Sequence, residues 1–140
     1  MILLDTNVVS ELMRPQPDKQ VVVWFEKHAN VPLYLSSITE AELWAGFHHL
    51  PQGKRRTSIG DAIAEMLAED FTGRILAFDS RAARAYGEIS GVRKTLGLAT
   101  DTADVQIAAI AKVNRFKVAT RDASGFAGSG IEVISPWELG

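Results

Sequence analysis

Ile2, Leu3 and Leu4 form an unbroken apolar run, and Asp5, Thr6 and Asn7 follow it without a spacer. Successive side chains of a strand point to opposite faces, so this run must be covered on both sides. That is the environment of a strand inside a parallel sheet flanked by helices. Polar groups directly after such a strand stand at its carboxyl end, where open α/β sheets place their ligands.

The remaining chain repeats the alternation of strand and helix. Asn7 is positioned to cap a helix over 7–13, which Pro15 and Pro17 end. Asp18 precedes a second helix over 19–28, with Val22, Phe25 and Ala29 on one stripe. A strand over 33–36 leads into a helix to about residue 50, opened by Ser37 or Thr39, with Leu43, Phe47 and Leu50 as its seam. The basic trio Lys54, Arg55 and Arg56 leads into a helix that buries Ile59, Ile63, Met66 and Leu67. A third strand over 75–78 precedes a long helix capped by Ser80 and running to about Leu96, with Gly97 at its C-terminal cap. A helix beginning at 100–102 runs to 114, followed by a strand over 117–120, a glycine-rich loop over 121–130 and a short strand over 132–134. This order predicts one α/β domain over 1–140 with a mainly parallel sheet of four to five strands.

Composition narrows the function. At 140 residues, 46% apolar and 23% charged, the chain has the profile of a soluble globular domain. It has no cysteine, which removes disulfides and thiolate zinc sites. No signal peptide or membrane span is visible, so the expected setting is the cytoplasm. The net charge of −2 argues against a basic nucleic-acid coat but permits a local basic patch. Walker A, GxGxxG and GxSxG motifs are absent. His28, His48 and His49 lack metal-ligand spacing and read as structural or surface residues.

Four acids remain. Asp5 serves either as a helix cap or as a functional group, and Asn7 is already available to cap. Glu42 follows Thr39 by three residues, which makes a capping box, but Ser37 with Glu40 makes a competing one. Asp104 opens a helix whose buried stripe continues through Ile107, Ala108 and Ala111. It either complements the helix dipole, a role Asp101 also fits, or serves a site. Asp122 follows the strand at 117–120, as Asp5 follows the first. Several buried carboxylates repel one another unless a cation neutralises them. Their hard oxygens suit magnesium or manganese, which in phosphodiester hydrolysis activates water and offsets charge on phosphate.

Four segments in this order resemble the PIN-domain family, especially the VapC toxins and their FitB-type branch. They are Leu3-Leu4-Asp5-Thr6-Asn7, residues 37–43 with Gly46, residues 104–109, and Ala119-Thr120-Arg121-Asp122 with Phe126. The resemblance implies a Mg2+- or Mn2+-dependent endoribonuclease. It also implies a homodimer, neutralised by a small antitoxin that makes any DNA contact. By motif position Asp5, Glu42, Asp104 and Asp122 are its catalytic acids, with Asp5 and Asp104 the direct metal ligands and Thr6, Asn7 and Thr120 in support. Arg121 and the trio at 54–56 are candidate phosphate contacts. Gly125 stands where many relatives carry an acid before the phenylalanine. An inhibitor is expected to place arginine in the acid cluster and to lie along a groove lined by the helices of Leu12 and Trp24. The rival readings are an aspartyl-phosphate phosphohydrolase with Asp5 as nucleophile, and a non-catalytic RNA-binding or regulatory module.

Overall fold

In the computed structural model, which describes residues 1–138, five strands form one sheet in the order β3-β2-β1-β4-β5, and every pair is parallel. The strands are β1 (Ile2–Leu4), β2 (Leu33–Ser36), β3 (Ile75–Leu76), β4 (Lys117–Ala119) and β5 (Val133–Ile134). The helices are α1 (Thr6–Leu12), α2 (Lys19–Lys27), α3 (Ser37–His49), α4 (Lys54–Glu69), α5 (Ser80–Thr95) and α6 (Thr102–Asn114). A 3₁₀ turn, Ala123–Phe126, shapes the segment expected to be a plain loop.

β1 is the centre of the sheet, and its three side chains are buried as the apolar run requires. Leu3 joins one core with α5, α6 and Phe116, while Ile2 and Leu4 join the other with Val8, Trp24, Leu43 and Ile63. From β1 the order runs to β2 and β3 on one side and to β4 and β5 on the other. The crevice where such an order reverses is where open α/β sheets bind ligands. Here it lies between the carboxyl ends of β1 and β4, whose register pairs Leu4 with Ala119. Asp5 and Thr120 therefore leave the sheet side by side.

Three helix starts differ from expectation, each because a nearer oxygen reaches the free N–H groups. Asp5, not Asn7, caps α1, its carboxylate accepting from the Thr6 N–H at 2.8 Å. Ser36 caps α3 by accepting from the Thr39 N–H at 3.0 Å, so neither proposed capping box forms there. Asp79 caps α5 by accepting from the Ala82 N–H at 2.9 Å, and Ser80 becomes its first residue. Gly97, at φ 73°, follows the end of α5 in the left-handed region expected of it. No described helix is long and apolar enough to cross a membrane.

Candidate active site

Asp5, Glu42 and Asp104 line one open hollow together with Thr6, Asn7, Ser10, Glu11 and Arg14. β1 delivers Asp5, the second turn of α3 delivers Glu42 and the first turn of α6 delivers Asp104. The chain thus brings together three of the four acids from three elements far apart in sequence.

Asp5 is buried and held at both oxygens. One accepts from the Thr6 N–H at 2.8 Å and the other from the Thr120 hydroxyl at 2.7 Å. Burial raises its pKa, opposed by those two bonds and reinforced by the charges of Glu42 and Asp101. Glu42 is exposed, and its carboxylate accepts from the Thr6 hydroxyl at 2.6 Å. That hydroxyl also lies 3.0 Å from the Thr39 hydroxyl, beside the Ser36 cap. With Ser36 doing the capping, Glu42 is free to face the hollow.

Asp104 is the most perturbed of the group. Partial burial pushes its pKa up to about 6, and Asp101, Asp5, Asp122 and Glu42 add repulsion in that order. Asp101 settles the other open question at this helix, since its carboxylate caps α6 by accepting from the Asp104 N–H at 3.0 Å. Asp104 is thereby spared the capping role.

Asp122 stands apart. It is exposed, and its carboxylate accepts from both the Ser124 N–H at 3.0 Å and the Ser124 hydroxyl at 2.6 Å. Those bonds lower its pKa and commit it to the 3₁₀ turn, although its charge still reaches Asp104. Asn7 donates to the Thr120 hydroxyl at 3.3 Å and accepts from the Arg121 N–H at 3.2 Å, tying α1 to the end of β4. The Arg121 guanidinium lies over the Trp137 ring, 5.0 Å from its centroid. In the basic trio, Arg56 covers the Phe47 ring at 4.8 Å and bonds His48 at 3.1 Å.

Glu11 and Arg14 were not anticipated from the sequence. Glu11 is 5% exposed and takes Arg14 at 3.2 Å and the Asp18 N–H at 3.0 Å. The signal was available, because Asn7, Ser10, Glu11 and Arg14 fall at i, i+3, i+4 and i+7 on one face of a helix and its end.

The donors suit a hard divalent cation: all are oxygens, several are acidic, and their mutual repulsion is unbalanced. Among the described residues no lysine, arginine or histidine forms an ion pair with Asp5, Glu42, Asp101, Asp104 or Asp122. Among the same residues no group of three acids or histidines is drawn together into a preformed cage. The fit is therefore one of donor chemistry and charge, with side-chain adjustment needed to close around an ion.

A groove continues from the hollow between α1, α3 and α4. It shares Thr6, Ser10, Arg14 and Glu42 with the hollow and is otherwise lined by side chains such as Met13, Leu43, Phe47, Ile59 and Ile63. Gly46 lines it with nothing within 4 Å of where a Cβ would stand. The helix of Leu12, α1, lines this groove as expected, whereas α2, the helix of Trp24, does not. Trp24 is 7% exposed and packed against His28 and Phe25, while Leu12 faces a separate depression with Phe25, Met66 and Phe71.

Fold and site together define a parallel α/β domain with an acidic centre at its topological switch point. The sequence matches the PIN domain family over residues 2–127, and the chain belongs to that family. It is 44% identical to a VapC ribonuclease of Sinorhizobium fredii over 138 residues, 99% of each chain. It is 42% identical to toxin FitB of Neisseria gonorrhoeae over 137 residues, 98% of this chain and 99% of that one. The structure of FitAB bound to a DNA fragment superposes with a TM-score of 0.93 at 41% identity, covering 100% of this chain and 98% of the other.

Proposed function

We propose that this protein is the toxin of a type II toxin–antitoxin pair and acts as a Mg2+- or Mn2+-dependent endoribonuclease. The observation that carries the reading is the convergence of Asp5, Glu42 and Asp104 at the β1/β4 switch point with no ion pair to a basic side chain among the described residues. The VapC and FitB relatives supply the substrate class and the toxin role. A bound divalent cation there supplies positive charge that makes water acidic and offsets charge building on the phosphate.

The chain's own residues do the rest. Asp5 and Asp104 would hold the cation, Asp5 from an orientation fixed by Thr120 and the Thr6 N–H. Glu42, oriented by Thr6, is placed to accept the proton of the attacking water. Asp122 acts at longer range through its charge and by shaping the 3₁₀ turn. Arg55, on the groove wall, and Arg121, next to Thr120 at the end of β4, are the candidate phosphate contacts. The engaged oxygens of Asp5 favour a fixed ligand over a free nucleophile, which counts against the aspartyl-phosphate reading.

The partner is a small antitoxin, as the FitAB and FitAcB complexes suggest by similarity, and any contact with operator DNA passes through it. Its toxin-binding segment occupies the α1–α3–α4 groove, which opens onto the acids. The protein works as a homodimer in the cytoplasm. Purified protein is to be incubated with structured RNA in Mg2+, Mn2+ or EDTA, beside Asp5→Asn. Cleavage that needs the metal and disappears in the variant supports the proposal. RNA binding without cleavage returns the protein to the non-catalytic reading, and a trapped phosphoryl-Asp5 returns it to the phosphohydrolase.

A further inference from the structure

We infer that Gly125 is the positioning residue for Asp104: by carrying no side chain, it lets the Asp104 carboxylate lie against the backbone of the 3₁₀ turn. The inference rests on the proposed role of Asp104 and adds a residue to it. A Cβ built on Gly125 would stand 2.3 Å from Asp104 Oδ2, 2.9 Å from its Cγ and 3.4 Å from its Cβ. The first two distances are far inside van der Waals contact, so with the turn placed as it is here a Cβ at 125 requires the Asp104 carboxylate to move.

Glycine is not required here for backbone reasons. The described glycines in the left-handed region or beyond are Gly53, Gly73, Gly97, Gly128 and Gly130, and Gly125 is not among them. What position 125 supplies is room, and the three nearest atoms to that space all belong to the Asp104 side chain.

The surface that receives the carboxylate is itself fixed. Arg93, 5% exposed, donates through Nη1 to the Ser124 and Ala127 carbonyls at 3.2 and 2.7 Å, and through Nη2 to the Ala99 carbonyl at 2.5 Å. It therefore straps the 3₁₀ turn to the segment leading into α6. Phe126, 3% exposed, anchors the same turn in the core. Asp101 fixes the Asp104 main chain from the other side by capping its N–H. Asp104 is thus held at its backbone by Asp101 and bounded at its carboxylate by Gly125. With the turn strapped by Arg93, an added methyl group displaces the short Asp104 carboxylate from the position it holds in the hollow.

The test is Gly125→Ala, alone and combined with Asp104→Ala, in the full-length protein. Three quantities are measured: Tm without metal, the Kd for Mn2+ alone by electron paramagnetic resonance, and cleavage across Mn2+ concentration. Outer partners of metal ligands typically change affinity by about 10–100-fold, and a loss in that range is expected for Gly125→Ala. Cleavage should fall with it and recover in part at high Mn2+. In the Asp104→Ala background the second substitution should cost no further Mn2+ affinity and no Tm, since the space is vacated. Wild-type affinity in Gly125→Ala, or an undiminished loss in the double variant, overturns the inference. If Gly125→Ala does not fold, refolding of the double variant upholds it and failure of the double overturns it. If wild type neither binds Mn2+ nor cleaves RNA, the functional proposal fails by itself. A crystal structure of Gly125→Ala then decides the positioning: a displaced Asp104 carboxylate upholds it, an unmoved one overturns it.

Discussion

The Thr120 hydroxyl donates to the buried Asp5 carboxylate at 2.7 Å, joining residues 115 positions apart at the ends of neighbouring parallel strands. The same hydroxyl accepts from the Asn7 amide at 3.3 Å and from the Asp122 N–H at 3.2 Å. One side chain therefore orients Asp5 and joins α1 to the loop after β4.

Replacing Thr120 with valine keeps the shape and removes the hydroxyl. Asp5 then loses the bond that holds one of its oxygens. Loss of an outer partner of this kind costs about 10–100-fold in metal affinity or activity. We expect Thr120→Val to fold, to need more Mn2+ and to cleave within that range of loss. Titration of Mn2+ against cleavage rate checks it, and an unchanged profile assigns Thr120 a purely structural role.

Much of this arrangement was legible in the chain. The apolar run at 2–4 marked β1 as a strand buried on both faces of a parallel sheet, and Asp5 after it followed from the strand's carboxyl end. The helix caps were less legible, because Asp5, Asn7, Ser36, Ser37 and Asp101 are all chemically able to cap and only geometry selects among them. Glu42 illustrates the consequence. Its box with Thr39, like the competing Ser37–Glu40 box, gave way once Ser36 took the Thr39 N–H. The exposure of Asp122 and its commitment to Ser124 had no sequence signal beyond the Asp-x-Ser spacing of an Asx turn. The seat at Gly125 had none, since it depends on how α6 approaches a turn 21 positions later.

Asp5→Asn and Asp104→Asn should each abolish detectable cleavage while leaving the fold intact. Both remove a charge from a group of acids that repel one another. Metal-free Tm should therefore hold or rise in Asp104→Asn. In Asp5→Asn the relief of repulsion is offset by the loss of one of two hydrogen-bond acceptors. In both variants the stabilisation by added metal should disappear. Calorimetry with and without Mn2+ separates the two effects. A falling metal-free Tm in Asp104→Asn would mean that its carboxylate serves the fold.

Arg93 should matter for stability more than its distance from the acids suggests. Its guanidinium satisfies the Ser124, Ala127 and Ala99 carbonyls inside the protein. Truncation to methionine leaves those acceptors unpaired, and each buried polar group left so costs about 1–3 kcal/mol. Denaturant unfolding of Arg93→Met should show a loss of roughly 2–5 kcal/mol after partial relaxation and water entry. A change under about 1 kcal/mol would show that the strap is dispensable.

An inhibitory partner should use arginine at the acid hollow. A planar cation that stays charged pairs well with Asp5, Glu42 and Asp104, which form no ion pair among the described residues. Alanine replacement of each basic residue in the antitoxin's toxin-binding segment should therefore identify one whose loss restores cleavage. A complex that forms equally well with an Asp5→Asn, Asp104→Asn double variant would move the inhibitory contact away from the hollow.

The pH dependence of the metal-free protein follows from Asp104. Its carboxyl titrates near 4 when unfolded and near 6 when folded, so between these values the folded chain binds more protons. Stability contributed by the protonated form is present below about pH 4 and declines as pH rises through about 6. Asp5, also shifted upward, adds to the same trend. Bound Mg2+ or Mn2+ reverses it, because the cation competes with the proton and binds best once Asp104 is ionised. Metal-free Tm should thus fall across pH 4–6 in wild type and flatten in Asp104→Asn, while metal-induced stabilisation and cleavage should grow across pH 5–7. Melting curves in matched buffers with EDTA or Mn2+ test both slopes. A metal-free Tm that rises through this window in wild type, with no difference in Asp104→Asn, would refute an acidic centre under repulsion.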